Sequence, residues 1–318
     1  KLLPFSLLVC LLVSACRTPT STPQPLPAPT EAGATPTANT LRISEIQGAQ
    51  HRSPYDGRRI SGVEGIVTAL TGGGFYLQDP IPDEDERTSE AIFVSANAFG
   101  QVKVGDLVRV EEGIVREFNP AGPGANSLTR TELNQVSFTV LTNGRPLPEA
   151  VVLGEGGRRI PNMVIENDVN GYAGRSGEFD PDRDGLDFYE SLEGMRVQVN
   201  EALAVSSATS YKEVAVVADK GKNAGVLSPR GVSVLRQEDA NPERIILDDT
   251  FINMPAIRVG ARFTEPIIGI MDYSYGNFKL QPTQKLRFEQ GTNPPEAVAY
   301  LPAENELAFA TYNAANFS

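Results

Sequence analysis

The stretch RISGVEGIVTALTGGGFYLQD, residues 59–79, contains two runs of β-branched and aromatic residues separated by three glycines. Short runs of this kind, bounded by turn-forming residues, are typical of β-strands joined by tight turns. Similar segments surround it, and no long helical period appears between residues 41 and 141. These segments are LRISEIQ (41–47), AIFVSA (91–96), LVRVEEGIVREF (107–118) and LNQVSFTVL (133–141). Five or six strands within about 100 residues predict an OB-like barrel.

A second β region follows an irregular stretch at residues 142–190. Its segments are LEGMRVQVNEALAV (192–205), KEVAVVAD (212–219), RIILDD (244–249), IRVGARFTEPIIGIMDY (257–273) and NFKLQP (277–282). Two internal echoes link the regions: GIVTALTGGGFYLQ (65–78) with GIMDYSYGNFKLQ (269–281), and VGDLVRVEEGIV (104–115) with VGARFTEPIIGIM (259–271). Either hairpin patterning produces these echoes by chance, because glycine commonly punctuates hairpins, or the chain contains two barrel-like domains. We expect an all-β chain with an OB-like barrel followed by a second β-barrel or sandwich-like domain.

The first 40 residues have the features of an export signal and a tether. An apolar run at residues 2–15 is too short to span a bilayer, and it ends in Val13-Ser14-Ala15-Cys16. This ending resembles the bacterial lipobox and predicts acylation of Cys16; the alternative is a buried or reactive thiol. Residues 17–40, rich in Pro and Thr, predict a disordered linker. We therefore expect an exported protein, lipid-anchored to the extracellular face of a bacterial membrane.

The charge balance restricts the partners of the folded part. The chain has 28 basic and 40 acidic residues and a net charge of −12. Because phosphate neutralisation supplies most nonspecific affinity for nucleic acid, this composition excludes a purely electrostatic nucleic-acid binder. Any contact with nucleic acid must therefore be a local groove.

The last ten residues, FATYNAANFS (309–318), resemble the first core strand of the endonuclease/exonuclease/phosphatase family of nucleases. The strings GFYLQDPIPDEDERTSEAIFV (74–94), DGLDFYESLEGMRV (184–197) and YGNFKLQPT (275–283) are similar to the region that precedes the catalytic domain in secreted bacterial members of that family. The resemblance implies a Mg²⁺-dependent nuclease as the complete protein, with Asn313 at its metal and phosphate site. It also implies that the chain is truncated at the start of that domain.

The fragment itself is expected to be inactive. The family uses several histidines to orient and stabilise the phosphate, whereas this chain has one, His51. We interpret His51 as a solvated loop histidine, because no cysteine or second histidine can join it at a metal site; the alternative is that His51 is a general base or a metal ligand.

An acidic loop is the candidate calcium site. DPDRDG (180–185) places carboxylates at alternate positions before a glycine, as a hard cation requires around a tight turn. The loop lacks the glutamate that completes an EF-hand, so a solvated acidic loop is the alternative. The candidate ligands are Asp180, Asp182 and Asp184. A second acidic run, residues 79–86, is a weaker candidate.

Strand alternation suggests where the first barrel could hold nucleic acid. If Phe75 and Leu77 fill the core, Tyr76 lies on the outer face, and Phe93 does so on another strand. Exposed aromatic residues at these positions could stack on bases, with Arg58, Arg59 and Arg109 as phosphate partners. The alternative is that Tyr76 and Phe93 pack under loops or against the second domain.

These observations predict five segments and one principal function. The segments are a signal peptide (1–16), a linker (17–40), an OB-like domain (41–145), a second β domain (146–296) and the start of a nuclease domain (297–318). The predicted function is that of the non-catalytic part of an exported nuclease, in which the OB-like domain positions nucleic acid. The alternative function is that of a surface lipoprotein whose β domains bind glycan or protein without catalysis.

Overall fold

The computed structural model describes residues 41–175, 177–292, 302–307 and 309, all of which belong to one compact unit. The expected signal peptide, Cys16, the linker and Asn313 lie outside the described residues. Within the described residues, no helix is long and apolar enough to cross a membrane.

The first sheet closes into a five-stranded barrel. The sheet has six strands: β1 (Arg59–Ile60), β2 (Val63–Thr71), β3 (Gly74–Gln78), β4 (Ala91–Ser95), β5 (Leu107–Phe118) and β6 (Arg130–Thr142). Five of them form the ring, and the short β1 pairs only with β5. The strand order is β1-β5-β2-β3-β4-β6, and an additional β5–β6 pairing closes the ring. β4 and β6 run parallel, whereas the other pairs are antiparallel. This confirms the prediction of an OB-like barrel.

Alternation along the strands fills the core of this barrel. Phe75 and Leu77 are fully buried in it, together with Ile92 and Val94 of the adjacent strand. A register shift between Val67 and Ala69 bends β2, as β-bulges commonly do where a small barrel must curl. The short helix α1 (Ile43–Gln47) contributes two isoleucines to the same core.

The second sheet curls around its own core. Its strands are β7 (Val151–Leu153), β8 (Arg196–Val199), β9 (Leu203–Ala204), β10 (Val214–Val217), β11 (Ile245–Leu247), β12 (Arg262–Phe263), β13 (Ile267–Ser274), β14 (Asn277–Pro282) and β15 (Phe288–Glu289). The order is β15-β12-β9-β10-β11-β14-β13-β8-β7. A second α-helix, α2 (Gly185–Glu190), precedes β8, and 3-10 turns lie at Ala173–Arg175 and Asp219–Gly221.

The two sheets share one strand order. Only residues 200–202 separate β8 from β9 and residues 264–266 separate β12 from β13, so each pair acts as one bent strand. In the first sheet, the ring without the short β1 runs β2-β3-β4-β6-β5 and back to β2; in the second, it runs β8/β9-β10-β11-β14-β12/β13 and back to β8/β9. In both rings, the strand order in terms of the sequence is therefore first, second, third, fifth, fourth. The third and fifth strands are parallel in both. The second sheet is therefore OB-like as well, and we call the two sheets the first and second barrels.

The two sequence echoes have different structural origins. The echo between 104–115 and 259–271 falls on β5 and on β12–β13, which occupy the fourth position of both barrels. The echo between 65–78 and 269–281 instead pairs the first and second strands of one barrel with the fourth and fifth of the other. The first correspondence reflects the repeated fold, whereas the second reflects hairpin patterning alone.

Candidate functional site

The outer face of β3 and β4, which OB folds commonly use for ligands, is covered by the second barrel. Tyr76 is 2% exposed and Phe93 is 6% exposed, and both pack with Ile270 of β13. The Tyr76 hydroxyl donates a hydrogen bond to Asp272 Oδ2 at 2.7 Å. The structure therefore contradicts the expectation that Tyr76 and Phe93 are exposed stacking residues, and it agrees with the alternative that they pack against the second domain.

Arg130 of β6 fixes this interface. Its guanidinium lies 4.1 Å from the ring centroid of Phe93, 3.1 Å from Asp272 Oδ2 and 3.0 Å from Glu132 Oε2. Burial alone would lower the pKa of Arg130, but Asp272 and the other neighbouring groups raise it above its ordinary value. A buried cation between two buried carboxylates holds the barrels together and excludes ligands from the face.

The three arginines predicted to contact phosphate lie elsewhere on the first barrel. Arg59 is 3.3 Å from Glu112, and Arg109 donates from Nε to Glu64 at 2.8 Å, so a carboxylate neutralises each. Arg58 is exposed and lies over the Tyr55 ring at 5.4 Å. Arg59 and Arg109 belong to β1 and β5, which do not pair with β3 or β4. The structure does not join these arginines to Tyr76 and Phe93 in one site.

A cluster of cations lies instead at the β12–β15 edge of the second barrel. Arg258, Arg262, Lys285 and Arg287 are exposed there, and no carboxylate of the described residues lies within ion-pair distance of them. We call these four residues the basic edge. The chain segments that carry them are hydrogen-bonded: Thr264 N–H donates to the Arg287 carbonyl at 2.9 Å, and Arg258 N–H donates to Gln290 Oε1 at 3.1 Å.

Alternation places two members of the basic edge on one outward face. Phe263 packs in the core beside Phe288, so Arg262 points outward opposite Glu289 in the strand register. Arg287 is two residues from Glu289 and therefore shares this outward face. The carboxylates nearest in sequence to the basic edge are Glu265 and Glu289. The basic edge and its sequence neighbours thus contain four cations and two carboxylates, although the chain as a whole has a net charge of −12.

The β9–β10 loop adjoins the basic edge and presents an aromatic residue. Ala208 N–H donates to the Ile257 carbonyl at 2.9 Å, which ties the loop to the segment that carries Arg258. Three residues further on, Tyr211 is 80% exposed. The neighbouring Lys212 has a positive φ of 62° and lies 3.4 Å from Asp249.

A second exposed tyrosine lies at the β13–β14 turn. Tyr275 and Gly276 both have positive φ, 48° and 80°, which is the pattern of a two-residue type I′ hairpin. Tyrosine is unusual at such a position, yet Tyr275 is 82% exposed, so packing does not explain it. Its ring lies 5.4 Å from Lys279 Nζ, which in turn contacts Glu213, two residues beyond Tyr211. The Tyr275 ring therefore lies beside Lys279, and Glu213 links Lys279 to the loop that carries Tyr211.

The candidate calcium loop is only partly as predicted. Asp180 and Asp184 come together, but Asp182 is exposed and lines an open cleft of about 340 Å³ with Arg158 and Arg183. Asp182 is therefore not a member of the cluster, because the turn at 181–183 points it outward. Asp187 from α2 takes its place, and Glu166 and Asp168 join from a separate loop. Burial raises the pKa of Asp184 to about 6, with Asp180 and Glu166 adding to the effect.

His51 is buried, so the interpretation of a solvated loop histidine is wrong. Its Nε2 lies 2.7 Å from Asp187 Oδ1 and its Nδ1 lies 3.2 Å from Glu190 Oε2. Burial alone would lower the pKa of His51, but hydrogen bonds to Asp187 and Glu190 outweigh it and raise the pKa to about 10. The first barrel thus supplies an imidazolium to carboxylates of the second region.

Two signals in the sequence could have identified the missed residues. Asp184 and Asp187 are three apart at the start of a helix, a spacing that places them on one side. The basic edge arises from R-x-x-x-R at 258–262 and K-x-R at 285–287, two short patterns that become one surface only through the β12–β15 pairing.

Comparisons with known proteins give limited similarity. The crystal structure of fission yeast Pot1 with ssDNA is similar at 12% identity and a TM-score of 0.26, covering 77% of this chain and 87% of that chain. A deletion mutant of the single-stranded DNA binding protein from Thermus aquaticus is similar at 14% identity and a TM-score of 0.15, covering 76% of this chain and 95% of that one. These TM-scores are too low to support a functional argument, and no curated protein matches. The model of a domain of unknown function, DUF8508, matches residues 152–292, from β7 to just beyond β15.

Proposed function

We propose that this chain is the accessory, non-catalytic region of an exported nuclease, and that its second barrel holds single-stranded nucleic acid. The observation that carries the proposal is the basic edge, a local concentration of cations that have no ion-pair partner among the described residues, on an otherwise acidic molecule. Cations of this kind contact phosphates, and the exposed Tyr211 in the adjoining loop offers a ring on which an unstacked base can lie.

The position of the basic edge suits an accessory role. Arg287 lies close to the end of the second barrel, and beyond residue 292 the chain leads into the segment in which the sequence predicts the first nuclease strand. Nucleic acid held at this edge would lie near a catalytic domain attached there. In the proposed complete protein, that domain supplies Mg²⁺-dependent hydrolysis with Asn313 at its site, and Cys16 anchors the protein to the membrane. Neither residue is among those described.

A salt titration tests the proposal. The full chain would be titrated into a labelled single strand of about 16 nucleotides, the upper end of an OB-fold site, and binding followed by fluorescence anisotropy. We expect binding at low salt that weakens as salt rises, with a slope near −3 if the four cations each contact one phosphate, since single strands give about −0.7 per contact. Absence of binding at low salt would contradict the proposal.

Two double variants with the same change in charge locate the site. Arg262→Glu with Arg287→Glu reverses two cations of the basic edge, whereas Arg59→Glu with Arg109→Glu reverses two that already have carboxylate partners. We expect the first pair to abolish binding and the second to weaken it only through the general charge. Equal losses from both pairs would show that the basic edge has no special role.

A second candidate, glycan binding, is favoured by the carboxylates near the tyrosines. Glu213, Asp248 and Asp249 neutralise Lys279 and Lys212, so the region between Tyr211 and Tyr275 has no excess positive charge. Aromatic rings beside carboxylates suit a neutral sugar, whose hydroxyl groups donate to carboxylate oxygens. Binding to soluble polysaccharide that is insensitive to salt and lost in Tyr211→Ala would support this candidate.

A further inference from the structure

Five carboxylates from two loops converge beside α2. They form two overlapping groups that share Asp184, each with ligand atoms within 4.8 Å of one another, and a third group joins Glu166 and Asp187 to His51. The members are Glu166, Asp168, Asp180, Asp184 and Asp187. We call these five residues the acidic cluster. Carboxylates at such separations repel one another strongly unless a cation lies among them.

Asp184 is buried and has no ion-pair partner among the described side chains. It is 1% exposed, and neither of its carboxylate oxygens makes a hydrogen bond of ordinary geometry with the described residues. It occupies the N-cap position of α2, where aspartate usually accepts a hydrogen bond from the helix, yet it makes no such bond. Its oxygens instead face the other carboxylates of the acidic cluster. A buried and unpaired carboxylate is costly, so its environment requires a positive charge.

Other members also have free oxygens. Asp180 Oδ1 and Glu166 Oε2 are buried and lack hydrogen-bond partners among the described residues. Their second oxygens have partners: Asp180 Oδ2 lies 3.7 Å from Arg183, and Glu166 Oε1 accepts the Asp168 N–H at 3.0 Å. Each carboxylate is thus held by one oxygen and leaves the other available to a ligand.

The described cations do not neutralise the acidic cluster. His51 forms an ion pair with Asp187, and a ring nitrogen also lies within 4.8 Å of a Glu166 oxygen. Arg183 is 79% exposed and lies 3.7 Å from Asp180. Among the described side chains, these two cations therefore face five carboxylates, and neither forms an ion pair with Asp184.

We propose that the acidic cluster binds one calcium ion, with Asp184 as its central ligand. Calcium takes six to eight oxygen ligands, often from carboxylates that bind through one or both oxygens, and the unpaired oxygens here are of that kind. Asp180, Asp187 and Glu166 supply the other protein oxygens, and Asp168 is close enough to Asp184 to contribute. His51 orients Asp187 and is not itself a ligand.

The ion would join two segments that are far apart in sequence. A bridge already pairs Val164 with Asp184, and Gly185 N–H donates to the Val164 carbonyl at 3.0 Å. Calcium between the Glu166 loop and the Asp180–Asp187 loop would lock this contact. Because His51 comes from the first barrel, the lock would also stabilise the region that joins the two barrels.

The acidic run at residues 79–86 provides an internal control. Asp79 pairs with Arg42 at 3.0 Å and Asp85 pairs with Arg87 at 2.7 Å. No side-chain oxygen in that run is buried and unpaired among the described residues. This run has as many carboxylates as the acidic cluster but no buried, unpaired oxygen among the described residues, so we expect it to bind no calcium.

Calorimetry with the metal alone tests the proposal. Calcium chloride would be titrated into the full chain after treatment with chelator, and thermal unfolding would be followed with and without about 1 mM calcium, the range of extracellular modules. We expect one ion per chain and a rise in Tm of about 3 °C or more. The variant Asp184→Asn should lose both effects, whereas the control Asp85→Asn should retain them.

The sign of the Asp184→Asn effect in chelator separates a metal ligand from a structural residue. Removing a buried and repelled charge should leave the metal-free variant at least as stable as the metal-free parent. No calcium binding by the parent, or calcium binding retained in Asp184→Asn, would overturn the proposal. Tighter binding of zinc than of calcium, lost in His51→Gln, would also overturn it, because it would indicate a site with a histidine ligand.

Discussion

The two barrels have the same strand order, yet the faces that OB folds commonly use for ligands have different surroundings in the two. In the first barrel, the second barrel covers the face of β3 and β4, and Tyr76 and Phe93 pack against it. In the second barrel, Ala215 and Val217 of β10 are covered by Ala224 and Leu227 from the chain's own long β10–β11 connection. The basic edge of the second barrel and the tips of the two loops that carry Tyr211 and Tyr275 are exposed.

This difference shows why the fold alone does not locate a site. An OB-like barrel offers the same outer face wherever it occurs, but the parts added around it decide whether that face is accessible. In the first barrel, the exposed Arg59 and the half-buried Arg109 are paired with carboxylates. In the second barrel, the four cations of the basic edge have no such partners among the described residues. Exposed cations without ion pairs among the described residues also occur on the first barrel, at Arg58, Lys103, Arg116 and Arg145. What distinguishes the second barrel is that four such cations lie on neighbouring segments of one edge.

Removing the contact between the barrels should have the largest effect. Arg130→Ala leaves Asp272 and Glu132 buried without their cation, and breaking a buried ion pair in this way costs about 3–5 kcal/mol. The free energy of unfolding would be measured by urea denaturation. The matched control Arg109→Ala removes a solvent-accessible ion pair with Glu64 and should lower the free energy of unfolding far less, because solvent screens such pairs. Similar losses in the two variants would contradict the assignment of Arg130 to the interface.

The hydroxyl of Tyr76 should have an intermediate effect. Tyr76→Phe removes its 2.7 Å hydrogen bond to Asp272 and should lower the free energy of unfolding by about 1.5–3 kcal/mol, the range for bonds to charged groups. Tyr275→Phe, at an exposed turn of the second barrel, is the control and should change stability little. If neither variant changed the free energy of unfolding, the hydrogen bond between Tyr76 and Asp272 would not stabilise the contact between the barrels.

Local sequence patterns predict the strands of the first barrel but not the burial of its outer face or the membership of the acidic cluster. The strands of the first barrel were predictable because alternation and glycine turns are local signals. The burial of Tyr76 was not, because alternation places it on the outer face whether solvent or another barrel covers that face. Asp182 was wrongly predicted to be a calcium ligand for a similar reason. Its spacing from Asp180 and Asp184 fits a calcium loop, but the turn at 181–183 directs its side chain outward. Glu166 lies in another loop, so only the folded chain brings it to Asp184.

The exposed tyrosines should affect binding without affecting stability. Tyr211→Ala should weaken single-strand binding by about 1–3 kcal/mol if its ring stacks on one base. Fluorescence anisotropy would measure the change. Phe99→Ala, which removes an even more exposed aromatic ring from the first barrel, should leave affinity unchanged. An equal loss in the two variants would indicate nonspecific hydrophobic contact.

A pH series should reveal the smallest effect, within the acidic loop of the first barrel. Burial raises the pKa of Glu90 to about 7; the hydrogen bond from the Asp83 N–H and the charge of Arg42 oppose this rise, whereas the negative charges of Asp83 and Asp79 add to it. Because the folded pKa exceeds the unfolded one, the stabilising contribution of Glu90 is complete below about pH 4.5 and is lost as pH rises through about 7. The variant Glu90→Gln should therefore gain stability relative to the parent between pH 5 and pH 8. A constant difference in urea midpoint across that range would show that Glu90 does not titrate as described.

Hydrogen–deuterium exchange of the full chain, with and without a single-stranded oligonucleotide at low salt, compares the two barrels most directly. The predicted result is slower exchange in residues 257–264 and 284–290, which carry the basic edge, and in the loop at 206–213, with no change in β3 and β4. Slower exchange in β3 and β4 without protection of the basic edge would contradict the proposal that the second barrel, and not the covered face of the first, contacts nucleic acid.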